Sequence, residues 1–302
     1  MSEIIFTNEK KISSLRDISL DKNKRNLNYS PTYFTDLDKI LGGFEKSSLI
    51  ILGSRPSIGK TSLALSIAKN ILFKSNKPVA FFSLEMSAQQ AFDRMLSFTS
   101  KVEIHKIKTV CLNTEECKLI LDCIDEIEKH NFLIKACNNI SIENLCSKAI
   151  KLKKEFDIGF LVVDSFQLLS SSRQESKCIE MFDIASSLKS LAMELDIPIL
   201  CTSQVSKKVE ERSSHRPLLS ELHDYGALEG IADVVMFLMR REYYDPLDKP
   251  GMAELHIAKN RHGNIGHVSM TFRKEFAQFT NYTPINYDEQ NESGIEINLT
   301  RK

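Results

Sequence analysis

Residues Leu49 to Ser62 read LIILGSRPSIGKTS: an apolar run, a polar loop with glycines at 53 and 59, and then Lys60-Thr61-Ser62 opening a helical pattern. A strand passing through such a loop into a helix is the setting of a phosphate-binding loop, where backbone N–H groups and the helix N-terminus surround phosphate oxygens. The spacing assigns Ser54, Arg55, Pro56, Ser57, Ile58, Gly59, Lys60, Thr61 and Ser62 to that cradle. Lys60 is expected to reach the terminal phosphates and Thr61 to offer its hydroxyl to Mg²⁺, while Gly59 lets the backbone close in. One position departs from GxxxxGK[ST]: Ser54 stands where the first glycine belongs, and Gly53 lies one residue too early. The ligand that follows from the loop is a phosphate chain with Mg²⁺.

Working outward, short apolar runs alternate with helical patterns. The expected strands are Leu49–Gly53, Val79–Ser83, Phe132–Ala136, Gly159–Asp164, Pro198–Ser203 and Val234–Met239, each reading as buried on both faces. Between them, 60–73, 87–98, 114–130, 142–156 and 175–195 carry apolar residues at intervals of three and four. After Met239 the pattern becomes alternating, MAELHIAKN and HVSMTF around the turn RHGNIG, which predicts an antiparallel extension of the sheet edge. The fold class is therefore α/β, a mostly parallel sheet with helices on both faces. Residues 1–30 are expected to form an arm, in which ISSLRDISL makes a short amphipathic helix. Residues 31–282 form the core, and 283–302 a flexible polar tail.

Lys+Arg and Asp+Glu both number 40 among 302 residues, so the chain is no basic tail protein, and 42% hydrophobic residues exclude wholesale disorder. No apolar run is long enough to span a bilayer, and charges interrupt the start, MSEIIFTNEKK, where a signal peptide is apolar. Seven cysteines without a CxxC pair fit a reduced, cytoplasmic setting. Cys111, Cys117 and Cys123 recur every six residues, a step that turns a helix by roughly 240° and prevents convergence on a metal.

Three further groups sit at expected strand ends. Asp164 closes FLVVD and is either a helix cap or the carboxylate that supports Mg²⁺ beside a phosphate-binding loop. Glu85, in FFSLEM, either begins a helix or polarises a water attacking a γ-phosphate. Gln204, in CTSQV, is placed to sense that phosphate by hydrogen bonding. Carboxyl ends of parallel strands are where open α/β sheets bind ligands. Lys259 and Arg261, in AKNRHG, read on their own as a solvated strand end.

Together, SRPSIGKTSLA, FFSLEMS, VVDSFQLL, TSQV followed by a polar stretch to RPLLSEL, and AKNRHGNIG resemble the RecA-like motor domain of replicative DNA helicases of the DnaB type. The likeness covers roughly Tyr33 to Tyr282, and in that family the position of Ser54 is commonly not glycine. It implies a RecA-like P-loop NTPase core in a ring-shaped homo-oligomer, most simply a hexamer, that hydrolyses ATP and unwinds fork DNA while translocating on single-stranded DNA. By position it implies Lys60 and Thr61 on phosphate and magnesium, Glu85 as catalytic base, Asp164 as the second-motif acid and Gln204 as sensor. Lys259 and Arg261 would be basic fingers that enter the neighbouring subunit's ATP site, where a cation stabilises transition-state charge.

The loops that line the ring channel in that family correspond here to Ser170–Lys177 and Ser206–Arg216. They supply Arg173, Lys177, Lys207, Lys208, Arg212 and Arg216 as DNA-binding candidates, without aromatic residues for base stacking. Family members usually carry an N-terminal collar that contacts primase, whereas about 30 residues precede this core. ELHDYGALEGIAD has His223 where the family has arginine. A loader or other replication proteins are expected partners, with no membrane. Two other readings remain at this point: a RecA-type recombination ATPase, and a helicase-like ATP-binding regulator without unwinding activity.

Overall fold

The computed structural model describes residues 28–171, 176–222 and 226–284. In chain order the elements are β1 (Tyr29–Ser30), α1 (Thr35–Leu41), β2 (Phe44–Glu45), β3 (Leu49–Ser54), α2 (Lys60–Ser75), β4 (Val79–Ser83), α3 (Ala88–Ser100), α4 (Ile104–Thr109), α5 (Thr114–Lys129) and β5 (Phe132–Ala136). There follow α6 (Ile142–Phe156), β6 (Phe160–Asp164), α7 (Lys177–Leu195), β7 (Ile199–Gln204), α8 (Ala227–Ile231), β8 (Val234–Met239), β9 (Met252–Asn260), β10 (Gly266–Arg273) and β11 (Gln278–Asn281). Short 3₁₀ turns punctuate the loops, among them Phe166–Leu168, Lys207–Glu211 and Leu219–Glu221.

Nine strands form one sheet in the order β11-β10-β9-β8-β3-β7-β6-β4-β5. Pairs among β3 to β8 are parallel, and β8-β9-β10-β11 are joined antiparallel, so the edge extension expected from alternation is present. The period of two divides each central strand between two cores. Ile50 and Leu52, Phe81, Phe160 and Val162, and Leu200 face the side covered by α1, α2, α3 and α5. Leu49 and Ile51, Ala80 and Phe82, Leu161 and Val163, and Ile199 and Cys201 face α6, α7 and α8.

Local chemistry sets the helix starts. Ser87 opens α3 in a reciprocal capping box with Gln90, and Asn113 opens α5 in one with Glu116. Burial of β5 corrects one expectation: its residues are half-exposed or exposed because it is the last strand and has a neighbour on one side only. Elements absent from the sequence reading are α1, α4, α8, the β1–β2 pair and β11. Of these, β11 matters most for the site: Phe279 N–H donates to Ser66 Oγ of α2 (3.1 Å), tying the sheet's antiparallel edge to the loop's own helix.

The arm's ISSLRDISL lies outside the described residues, as do Arg173, His223 and the tail from 285 onward. Among the described residues, no helix is long and apolar enough to cross a membrane.

Candidate active site

Strands β3, β7, β6 and β4 are successive neighbours, and all point the same way. Their carboxyl ends therefore deliver Ser54, Gln204, Asp164 and Ser83 to one edge of the sheet, with Glu85 two residues beyond β4. Chain order skips two strands between β3 and β4, which makes this edge a topological switch point.

The loop runs from Ser54 into α2. Gly59 has φ +115°, and a Cβ there would lie 3.1 Å from the Phe279 ring, so both backbone angle and close packing require glycine. Gly53 has a different purpose from the one a phosphate loop would give it. A Cβ on Gly53 would meet the Phe237 ring at 2.8 Å and Val205 at 3.2 Å, so its smallness serves contact with β8 and β7.

Lys60 is only 6% exposed, and its Nζ lies 3.3 Å from Glu85 Oε2. Ser165 Oγ donates to Glu85 Oε1 (2.7 Å), and Gln204 Nε2 approaches the same oxygen at 3.5 Å. Burial pushes the Glu85 carboxyl up, but the Ser165 hydroxyl and the Lys60 ammonium outweigh it and hold the group below its ordinary value. Thr61 Oγ1 donates to Asp164 Oδ2 (2.8 Å), and Thr202 donates to the other oxygen of the same carboxylate. Asp164 is fully buried, and that burial raises its carboxyl above the usual range despite both hydroxyls. A threonine hydroxyl and a carboxylate are hard oxygen donors, so the pair fits Mg²⁺, whose charge would offset the cost of ionising a buried acid. Lys60, Thr61, Glu85, Asp164 and Gln204 are thus brought together.

Two cations at this edge escaped the sequence reading. Arg94 of α3 donates from Nη1 to Ser62 Oγ (3.0 Å). Arg240, just after β8, donates from Nε to Ile58 O (2.8 Å) and from Nη2 to Ser57 O (3.1 Å), pairs with Glu242, and lies 4.0 Å over the Phe272 ring. Arg55 turns away from the cradle towards Val205 O and Glu210. Pro56 and Ser57 are exposed at the loop's tip, and Ile58 is buried beneath it.

Lys259 and Arg261 are not part of this cluster. Because β9 is antiparallel to β8, Lys259 pairs with Val235 near the start of β8, whereas the loop leaves from the other end of the neighbouring β3. Lys259 Nζ donates to Glu229 O, Arg261 Nη2 donates to Gly230 O, and Arg261 Nη1 lies 3.4 Å from Asp233 Oδ1. Both cations therefore rest on the carbonyl end of α8, where the helix dipole favours positive charge.

The DNA-binding candidates divide. Lys207 and Lys208 are exposed. Lys177 pairs with Glu180 (2.8 Å), Arg212 makes a two-pronged pair with Glu221, and Arg216 pairs with Glu254 (3.0 Å). A cavity of about 680 Å³ lies between β5 and α6 and is lined by none of these groups, so concavity does not locate this site. Among the described residues, no group of three or more His, Cys, Asp or Glu side chains is arranged to hold a metal ion.

A phosphate-binding loop on a central parallel strand, an acid at the end of a neighbouring strand and a glutamate beyond β4 define a RecA-like P-loop nucleotide-binding core. The family profile of the DnaB-like helicase C-terminal domain matches residues 30–281, and the chain belongs to that family. It is 38% identical over 254 residues to the replicative DNA helicase DnaB of Geobacillus stearothermophilus, covering 83% of this chain and 56% of that protein. It is 36% identical over 265 residues to the replicative DNA helicase DnaC of Bacillus subtilis, covering 87% and 58%. The chain thus spans a little over half the length of these curated relatives.

Among solved structures, one described as an ATPase domain superposes with a TM-score of 0.82 at 30% identity, covering 90% of this chain and all of that one. A DnaB-like replicative helicase, described with its interactions with primase, gives 0.82 at 31% identity and covers 89% and 65%. A KaiC-like protein from Pyrococcus horikoshii, at 18% identity and a TM-score of 0.57, shares the fold.

Proposed function

We propose that this chain is the Mg·ATP-hydrolysing motor of a replicative DNA helicase, acting as a ring, most simply a hexamer, that translocates on single-stranded DNA and separates duplex. The observation that carries this reading is the convergence of Lys60, Thr61, Glu85, Asp164 and Gln204 at one sheet edge. Backbone N–H groups of 54–61 and the start of α2 bind the phosphates, and Thr61 with Asp164 would hold Mg²⁺. The metal, when bound, neutralises charge developing on the transferred phosphoryl group. Glu85, kept ionised by Ser165 and Lys60, accepts the proton of the attacking water. An arriving γ-phosphate competes with Glu85 for Lys60, so nucleotide binding itself frees the base. Gln204 lies within reach of Glu85 and joins the phosphate site to the segment carrying Lys207 and Lys208.

The placement of Lys259 and Arg261 away from the loop of their own chain supports an assembly in which subunits share sites. The two cations act in trans, on the site of an adjacent subunit, or not at all in catalysis. Lys207 and Lys208 are the favoured contacts to the DNA backbone. Arg212 and Arg216 would have to give up Glu221 and Glu254 to join them. The deciding experiment is steady-state ATP hydrolysis with and without single-stranded DNA, for wild type, Lys60→Ala and Glu85→Gln over a range of protein concentration. Turnover that rises with DNA, rises cooperatively with concentration and is lost in both variants is the expected result. Nucleotide binding without DNA-stimulated turnover would favour the regulator reading instead.

A further inference from the structure

We infer that the ion pair between Arg55 and Glu210 is a mechanical link through which DNA held at Lys207 and Lys208 alters turnover at the phosphate loop. The inference rests on the motor reading above and adds to it a second route, independent of Gln204.

Arg55 is the second residue of the loop, yet its guanidinium points out of the cradle. Nε donates to Glu210 Oε1 (2.8 Å), and Nη1 donates to Val205 O (2.9 Å). In the opposite sense, Val205 N–H donates to Ser54 O (3.0 Å), so residues 54–55 and the exit of β7 clasp each other from both sides. Five fixed donors on a planar group make such a multi-point contact directional, which an ammonium would not achieve.

Glu210 belongs to the 3₁₀ turn Lys207–Glu211, the turn that displays Lys207 and Lys208 to solvent. That turn is fastened to the body. Val209 is fully buried in the second core, Ser206 N–H donates to Glu221 O (3.0 Å), and Ser206 Oγ accepts from Lys208 N–H. Because Lys207, Lys208 and Glu210 share this one turn, a load or charge applied at the lysines is felt at Glu210. Every step from the lysines to the loop backbone is then a hydrogen bond, an ion pair or one short rigid turn.

The electrostatics give this path a direction. A DNA phosphate drawn to Lys207 and Lys208 places negative charge beside the Glu210 carboxylate, which increases the demand of that carboxylate for the Arg55 guanidinium. Arg55 is 12% exposed and Glu210 43%, so the carboxylate end of the pair remains open to solvent and to charge brought by a ligand. Coupling of this kind is a difference in free energy between DNA-bound and DNA-free states and need not alter either resting site.

The test compares Glu210→Ala and Glu210→Asp with wild type in the full chain. Three quantities are read: hydrolysis without DNA, affinity for a thymidine oligonucleotide, and the ratio of hydrolysis with saturating oligonucleotide to hydrolysis without it. Glu210→Ala is expected to keep wild-type hydrolysis without DNA. It should bind the oligonucleotide at least as tightly, since a negative charge beside two lysines is gone. Its stimulation ratio should fall by about fivefold or more. Glu210→Asp should recover part of that ratio. A wild-type ratio in Glu210→Ala overturns the link alone. A wild-type chain whose hydrolysis ignores DNA overturns the motor reading and the link with it.

Discussion

Glu85 carries two opposing influences, and their balance makes a kinetic prediction. Burial favours its neutral form, whereas the Ser165 hydroxyl and Lys60 bond to the ionised form and prevail. The acid limb of kcat/KM should therefore lie below the ordinary carboxylate range. Ser165→Ala removes a bond made to the anion and should move that limb to higher pH, as rate profiles of the two proteins would reveal. Glu85→Gln should lower kcat by about 10²–10⁴-fold while leaving nucleotide affinity near wild type, measured by fluorescent-nucleotide titration. On the motor reading, chelating Mg²⁺ should weaken nucleotide binding in wild type and change it little in Asp164→Asn, since the buried carboxylate beside Thr61 would be the group that gains from the cation.

At the scale of elements, α2 has two duties, presenting Lys60 and Thr61 and filling the core with Leu63, Leu65, Ile67 and Ile71. It also carries Lys69, lowered to about 8 first by burial and then by Lys101 and Lys74. Because the unfolded chain keeps its proton up to about 10.5, it binds more protons than the fold between pH 8 and 10.5, and stability contributed by this group rises with pH across that window. Below pH 8 the full penalty is present, on the order of 3 kcal/mol. Lys69→Met should therefore melt higher than wild type at pH 7, and the gap should close towards pH 10 in paired thermal scans. Strand β3 makes a second case. Gly53→Ala forces a methyl into the Phe237 ring and should cost about 1–3 kcal/mol in denaturant unfolding, although the phosphate loop itself is untouched.

For the whole molecule, the separation of Lys259 and Arg261 from the loop of their own chain means that no isolated subunit holds a complete site on the motor reading. Arg261→Ala should hydrolyse ATP poorly, and so should Lys60→Ala. Mixed, the two should regain part of the activity, because a Lys60→Ala subunit can lend its intact Arg261 to an Arg261→Ala neighbour whose loop is intact. Hydrolysis measured against mixing ratio checks this, and additive inactivity at every ratio would remove the fingers from the reaction. Asp233 shapes the resting place of Arg261: its carboxylate also accepts from Leu49 N–H (2.8 Å) and pairs with Lys189 (2.7 Å), so Arg261 is anchored to the start of the central strand.

Much of this was legible along the chain because its causes are local. Val79–Ser83, Phe132–Ala136, Val234–Met239 and Ile142–Phe156 have the same bounds in sequence pattern and in structure, since side-chain period and turn residues act over a few positions. The phosphate loop, Glu85, Asp164 and Gln204 were likewise visible as chemistry placed at strand ends. Other features depend on which elements meet. Arg94 reaches Ser62 across 32 positions and Arg240 reaches Ile58 across 182, separations that no spacing rule encodes. The exposure of β5, the packing reason for Gly53, the support that β11 gives to Gly59, and the capture of Arg212 and Arg216 by Glu221 and Glu254 all arise in the same way. Periodicity reveals which face of an element is apolar, but the partner of that face is chosen by the cooperative packing of the whole sheet, and it is this choice that sets the neighbours of each charged group.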